Sequence, residues 1–222
     1  LELIARLAQG KLSALETHLE AANLQMKRSE QLAALKTLDL RAQAQVMPQG
    51  WQLQLTQLMV DGDNQARALV NVLSKNDQQT EIAADVDLLK LERLTPWLAY
   101  VDAPPVVHQV LSRATGQVTA MQLRLSKQAE ALTYVLHAQL QQAGLTPVGD
   151  QTGFAQLSGE LTATENDGRF EPASGGIVLH LPHAMETPVR FDQLGGEVTW
   201  QREAEGWRVQ MPSFTWAAAT TQ

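Results

Sequence analysis

Stretches of strict apolar–polar alternation recur along this chain. Leu38, Leu40, Ala42, Ala44 and Val46 alternate with Asp39, Arg41, Gln43 and Gln45, and Ala155, Leu157, Gly159, Leu161 and Ala163 with Gln156, Ser158, Glu160 and Thr162. A period of two sends successive side chains to opposite faces of a strand, so each stretch has one dry and one wet face. The same pattern predicts strands around Leu1–Leu7, Leu15–Ala21, Trp51–Leu55, Ala66–Leu73, Thr80–Asp87, Thr119–Leu125 and Leu132–Leu140. It returns in Ile177–Leu181, Val198–Trp200 and Trp207–Met211. Gly10, Met47-Pro48-Gln49-Gly50, Asp61-Gly62-Asp63-Asn64, Glu165-Asn166-Asp167-Gly168 and Glu205-Gly206 read as turns, the fourth through residues that tolerate positive φ. At Pro212 the apolar parity shifts to Phe214 and Trp216, which predicts a bulge or a sheet edge.

Between the two β segments the period changes. Leu88, Leu91, Leu94, Leu98 and Val101 fall at helical spacing, with Asp87 as N-cap and a kink expected near Pro96. A second helix is predicted through Val106, Val107, Val110 and Leu111, closed by Gly116. The expected organisation is an N-terminal β segment at 1–86, a helical insert at 87–116 and a C-terminal β segment at 117–222. The fold class is mainly β, a long curved antiparallel sheet interrupted by a short helical insert.

Composition narrows the function. A net charge of −7 argues against a nucleic-acid groove, which needs clustered Lys and Arg. No apolar run is long enough to span a bilayer. The absence of Cys removes thiolate-based metal and redox chemistry, and leans weakly towards an oxidising compartment. The chain opens mid-pattern at Leu1 and stops abruptly at Gln222, as expected of a segment of a larger protein.

Each candidate for chemistry has a plainer reading. His180, His183 and Glu186 have a metal-like spacing, but a strand sends the two His to opposite faces and Pro182 breaks the geometry. Asp61-Gly62-Asp63-Asn64 lacks the spaced acids and closing Glu of a calcium loop. Ser158 lacks a nucleophile elbow, no carboxylate pair stands out, and Gly195-Gly196 is no phosphate cradle. The five Trp residues are expected to fill the apolar face rather than stack on sugars. No catalytic residue, metal ligand or cofactor is therefore expected, and the chain is not expected to be an enzyme.

The apolar face itself carries two readings. In one, two such faces cover each other in a closed β-sandwich that serves as an interaction or scaffold module of the cell envelope. In the other, a curved sheet keeps its apolar face partly open and holds lipid. Scattered aromatics, 5% in all, do not make the girdles of a transmembrane barrel.

An ordered series of motifs bears on this choice. It comprises Leu94-Thr95-Pro96-Trp97-Leu98, Gly116-Gln117-Val118 with Leu123 and Leu125, Gly153-Phe154, Leu157-Ser158-Gly159 and Gly168-Arg169-Phe170. It continues through Leu179-His180-Leu181-Pro182, Pro188, Leu194-Gly195-Gly196, Val198-Thr199-Trp200-Gln201-Arg202 and Gly206-Trp207-Arg208-Val209. The series resembles the YhdP central domain of the AsmA-like, TamB-related bridge-like lipid transfer proteins, most strongly over 87–216. The resemblance implies a taco-like β-groove in the periplasm of a Gram-negative cell, tethered to the inner membrane through a helix outside this segment. It implies phospholipid moving towards the outer membrane. The partners would be phospholipid acyl chains, the remainder of the same long chain and envelope proteins, with no nucleic acid.

The resemblance assigns no individual groove residue. From alternation, the groove face should include Leu53, Leu55, Leu123, Leu125, Leu136, Leu157, Leu161, Leu179, Val198 and Trp200. The helical insert would plug, cap or gate one side of that groove.

Overall fold

A computed structural model of the chain describes residues 2–9, 11–28, 31–76, 79–93, 105–128, 131–173, 175–185, 187–213 and 215–218. The fold is mainly β with antiparallel pairing. The strands of the first half are β1 (Glu2–Ala8), β2 (Lys11–Arg28), β3 (Gln31–Met47), β4 (Gly50–Val60), β5 (Asp63–Asn76) and β6 (Gln79–Lys90). Then come a 3-10 turn (Leu91–Arg93), the short helix α1 (Pro105–Leu111), β7 (Ala114–Gln128) and β8 (Ala131–Leu145). The remainder is β9 (Gly153–Thr164), β10 (Asp167–Pro172), β11 (Ile177–His180), β12 (Val189–Gly195), β13 (Val198–Glu203), β14 (Gly206–Gln210) and β15 (Thr215–Ala218). The chain divides into two compact units, Leu1–Leu89 with Ala120–Val135, and Lys90–Thr119 with Leu136–Gln222.

In the first unit β1 to β6 lie side by side in sequence order. Directly opposed residues in antiparallel strands share a face, so the register defines cross-strand rows. One row runs Ala5–Leu15–Ala44–Leu53–Val70–Ala84, and the next Leu3–Thr17–Ala42–Leu55–Ala68–Val86. A third is Leu19–Leu40–Leu58–Ala66–Leu89. The opposite face carries Glu16–Gln43–Gln54 and Gln45–Gln52–Asn71. The alternation in sequence thus becomes one dry and one wet face across six strands.

The rows stay aligned because bulges absorb extra residues. Thr56 is the extra residue of β4 opposite β3, Gln65 that of β5 opposite β4, and Asp87 that of β6 opposite β5. A bulge turns the apolar spacing from two into three, so Leu55 and Leu58, like Val86 and Leu89, keep to one face. This corrects the reading of Asp87 as a helix N-cap. Leu88, where the helical spacing begins, lies in β6 just past this bulge; β6 continues to Lys90, and Leu91 opens the 3-10 turn. Leu94, Leu98 and Val101, with Pro96, lie outside the described residues.

The β4–β5 connection is a two-residue turn with φ of 55° at Asp61 and 80° at Gly62, the type I′ geometry that matches strand twist. Asp61 Oδ1 accepts hydrogen bonds from the Lys36 and Thr37 amides at 2.7 and 3.0 Å, and its own amide donates to Thr37 O at 2.9 Å. That carboxylate holds the turn to β3, so the stretch is a structural hairpin.

In the second unit α1 covers the predicted helical stretch but ends at Leu111, and β7 has begun by Ala114. Gly116 is therefore a strand residue rather than a helix cap. Its φ of 91° and the nearness of the Gln142 carbonyl leave no room for a Cβ. Arg113 donates to the carbonyls of Thr146 and Thr152 at 2.7 and 2.9 Å and also to Gln151, which fixes the β8–β9 loop. The Glu165–Asn166 connection has no positive φ. Its shape comes instead from the Thr164 hydroxyl, which accepts from the Asn166 and Asp167 amides at 3.2 and 3.1 Å.

Strand order in this unit is not sequential. The C-terminal half of β9 pairs with β10, which pairs with β13 and so reaches β14. Its N-terminal end pairs instead with β11, which leads to β12 and β15. Gln156, at φ 65°, lies between the two pairing segments. The parity change at Pro212 is the end of β14 at Gln210, after which the chain leaves to pair with β12; Phe214 lies outside the described residues.

Candidate functional site

The dry face of the first unit is graded in burial. Val60 and Leu38 are the most enclosed, at 2% and 4% exposure. Across the middle of the rows Leu15, Ala44, Leu53, Val70, Ala42 and Leu55 are only half-buried. No large side chain among the described residues is fully buried. A face covered by a second packed layer buries large side chains completely, and that signature is missing here.

All ten residues expected on the groove face are half-buried. Leu53 and Leu55 sit in adjacent dry rows of the first unit. Arg124 of β7 pairs with Asp85 of β6 at 3.0 Å on the wet side, so Leu123 and Leu125 lie on the dry side with Ala84 and Val86. These four share one face.

In the second unit Leu161, Phe170 and Val198 form one row, and Ala163, Gly168, Trp200 and Val209 the next. Leu157 shares the parity of Leu161 along β9. His137 and Thr162 meet at 3.4 Å, which leaves Leu136 on the face opposite to them, with Leu161. Leu179 is separate: it belongs to a Phe154–Leu179–Val189 row, beyond Gln156. The Trp200 indole packs against Gly168, where any Cβ would strike it, a protection of a strand glycine by a neighbouring aromatic.

Sequence reasoning missed Val70, Ala84, Val86 and Phe170, which complete these rows. Each stands at an alternating position, but only the register shows which rows they join.

Trp51, opposite Val46 and Val72, shares the dry face of Leu53, and Trp207 shares the parity of Val209, yet both stay open to solvent. Trp51, Trp207 and Trp216 are 43%, 56% and 61% exposed, and Trp97 lies outside the described residues. Ser158 Oγ accepts the Gln142 amide at 2.9 Å, a stitch between β8 and β9. His180 ends β11 opposite Gly153, His183 stands in the following turn, and Glu186 lies outside the described residues.

The wet face of the first unit is laced by polar side chains. Arg6 meets Glu16 at 2.8 Å, Gln52 donates to Asn71 at 2.7 Å, and Gln57 donates to Asp39 at 2.6 Å. Such ladders keep one face hydrated, which leaves the apolar face as the surface able to take a hydrophobic ligand. Among the described residues no helix is long and apolar enough to cross a membrane.

Compared with known proteins, the chain matches the family described as YhdP protein over residues 1–222. No curated protein and no solved structure matches it. With the family match spanning the whole sequence, the chain belongs to the YhdP family.

Proposed function

We propose that this chain is a segment of a periplasmic bridge that carries phospholipid between the inner and outer membranes along an apolar β-groove. The bridge is tethered to the inner membrane through a helix outside this segment, and the chain acts without catalysis. The observation that carries this reading is the set of cross-strand apolar rows whose central residues stay half-buried. The YhdP family is not a known enzyme family, which agrees with a carrier.

The energetics suit such a role. Burying a methylene is worth about 0.8 kcal/mol, so a lane that covers about ten methylenes holds a tail by roughly 8 kcal/mol before ordering costs. The lane needs no fixed binding motif, and a tail can slide along it without breaking hydrogen bonds. A closed sandwich would instead bury its large inward side chains completely, which the half-buried rows speak against.

Native mass spectrometry of the purified chain with phospholipid tests the reading. Bound phospholipid is expected, and Leu53→Glu with Leu55→Glu, or Leu123→Glu with Leu125→Glu, should abolish it while the far-UV circular dichroism stays that of a β protein. Phospholipid retained by both double variants would show that the face is not the lane.

A further inference from the structure

A second site lies on the wet face of the first unit. Glu20 of β2 and Asp39 of β3 are directly opposed, and His18, two residues before Glu20, projects from the same face. His18 Nε2 is 3.1 Å from Glu20 Oε1 and 3.3 Å from Asp39 Oδ1. All three ligand atoms lie within 4.8 Å of one another. This is the one grouping of three such residues among the described residues. Sequence alternation places His18 and Glu20 together, but only the β2–β3 register brings Asp39 to them.

We propose that His18 Nε2, Glu20 Oε1 and Asp39 Oδ1 bind one divalent cation of the zinc class. Three observations support it. First, His18 Nε2 and Asp39 Oδ1 are both shielded from solvent and make no aligned hydrogen bond, only the ion-pair contacts at 3.1, 3.3 and 3.7 Å, which a shared cation would strengthen. Second, the spacing suits a metal. Two ligands each about 2.1 Å from zinc are roughly 3.0 Å apart at octahedral angles and roughly 3.4 Å apart at tetrahedral ones, and the two His18 separations fall between these. Third, the other Asp39 oxygen accepts from Gln57 Nε2 at 2.6 Å, the outer contact that orients a ligating carboxylate.

One imidazole with two carboxylates is a borderline donor set, suited to zinc rather than to calcium or copper(I). Solvent supplies the remaining positions through Glu20, which is 68% exposed. Arg41 Nε, 3.7 Å from Asp39 Oδ1, competes with the cation for that oxygen, but its side chain is half-exposed and free to turn away. Glu2, Glu16 and Arg41 line the adjoining depression of about 310 Å³; Glu16 is already paired with Arg6. The alternative occupant of this geometry is a proton on His18, which makes the cluster a simple ion pair.

Calorimetric titration of the metal-stripped 222-residue chain with zinc chloride, in a non-coordinating buffer, separates the two. One zinc per chain is expected. His18→Gln and Asp39→Asn should each weaken binding at least tenfold, Arg41→Ala should tighten it, and His137→Ala on β8 should leave it unchanged. Cobalt(II) should give visible absorption that His18→Gln removes. Should Asp39→Asn fail to fold, Glu20→Gln, at an exposed side chain, takes its place. Absence of saturable zinc binding, or equal affinity in His18→Gln and the parent, would overturn the site. This inference does not rest on lipid transport, and phospholipid binding by the same samples reports on that separately.

Discussion

The two units handle strand pairing differently. In the first, every strand from β1 to β6 lies beside its sequence neighbour, and bulges at Thr56, Gln65 and Asp87 keep the apolar rows in line. In the second, β9 divides its pairing between β10 and β11 on either side of Gln156. One apolar row then becomes two, Leu161–Phe170–Val198 and Phe154–Leu179–Val189. The contrast shows that alternation alone does not make a continuous dry lane. Continuity requires that each strand keep one partner along its length, or that each departure be matched by a bulge.

The contrast can be broken most severely at the enclosed end of the first unit. Val60→Asp would place an unpaired carboxylate at a position 2% exposed, at a cost on the order of 3 kcal/mol or more. Val209→Asp in β14, at a position 56% exposed, should change stability by less than about 0.5 kcal/mol. Urea unfolding of the two variants should differ accordingly, and equal losses would refute the graded burial.

Gly168→Val tests the second unit, since its side chain would collide with the Trp200 indole. The expected loss is about 2 kcal/mol, with a red-shifted tryptophan emission as the indole is displaced. Asp61→Ala removes two amide contacts from the β4–β5 turn and should cost roughly 1–2 kcal/mol. Hydrogen exchange at Lys36 and Thr37 should then accelerate selectively. A small effect is also expected from Arg124→Ala, whose pair with Asp85 is exposed on both sides. It should stay within about 1 kcal/mol and shrink further in salt.

Much of this was legible in the sequence, because a period of two is written directly into the side chains. The strands around Leu38–Val46 and Ala155–Ala163 need nothing else. What misled was the spacing of three. Leu88 to Leu91 looks like one helical turn, yet Leu88 belongs to β6, just past the bulge at Asp87, and Leu91 opens a 3-10 turn. A bulge and a helix start share that local signature, and only the neighbouring strand decides between them. The Glu165–Asn166 turn was recognisable, but its cause was not: a Thr164 hydroxyl replaces the positive φ that Asn and Gly suggested. The same limit applies to Asp39, whose proximity to His18 depends on the β2–β3 register. Leu179 shows it as well, since the switch of β9 between partners sets it in a separate row.

The neighbour-to-neighbour order of the first unit bears on how the chain acquires its structure. Each new strand needs only the one before it, so contacts form between segments close in sequence and loop closure stays cheap. The edge left behind is ready for the next strand. A chain that emerges end first during synthesis can therefore build this part of its sheet progressively, with no need to wait for its far end.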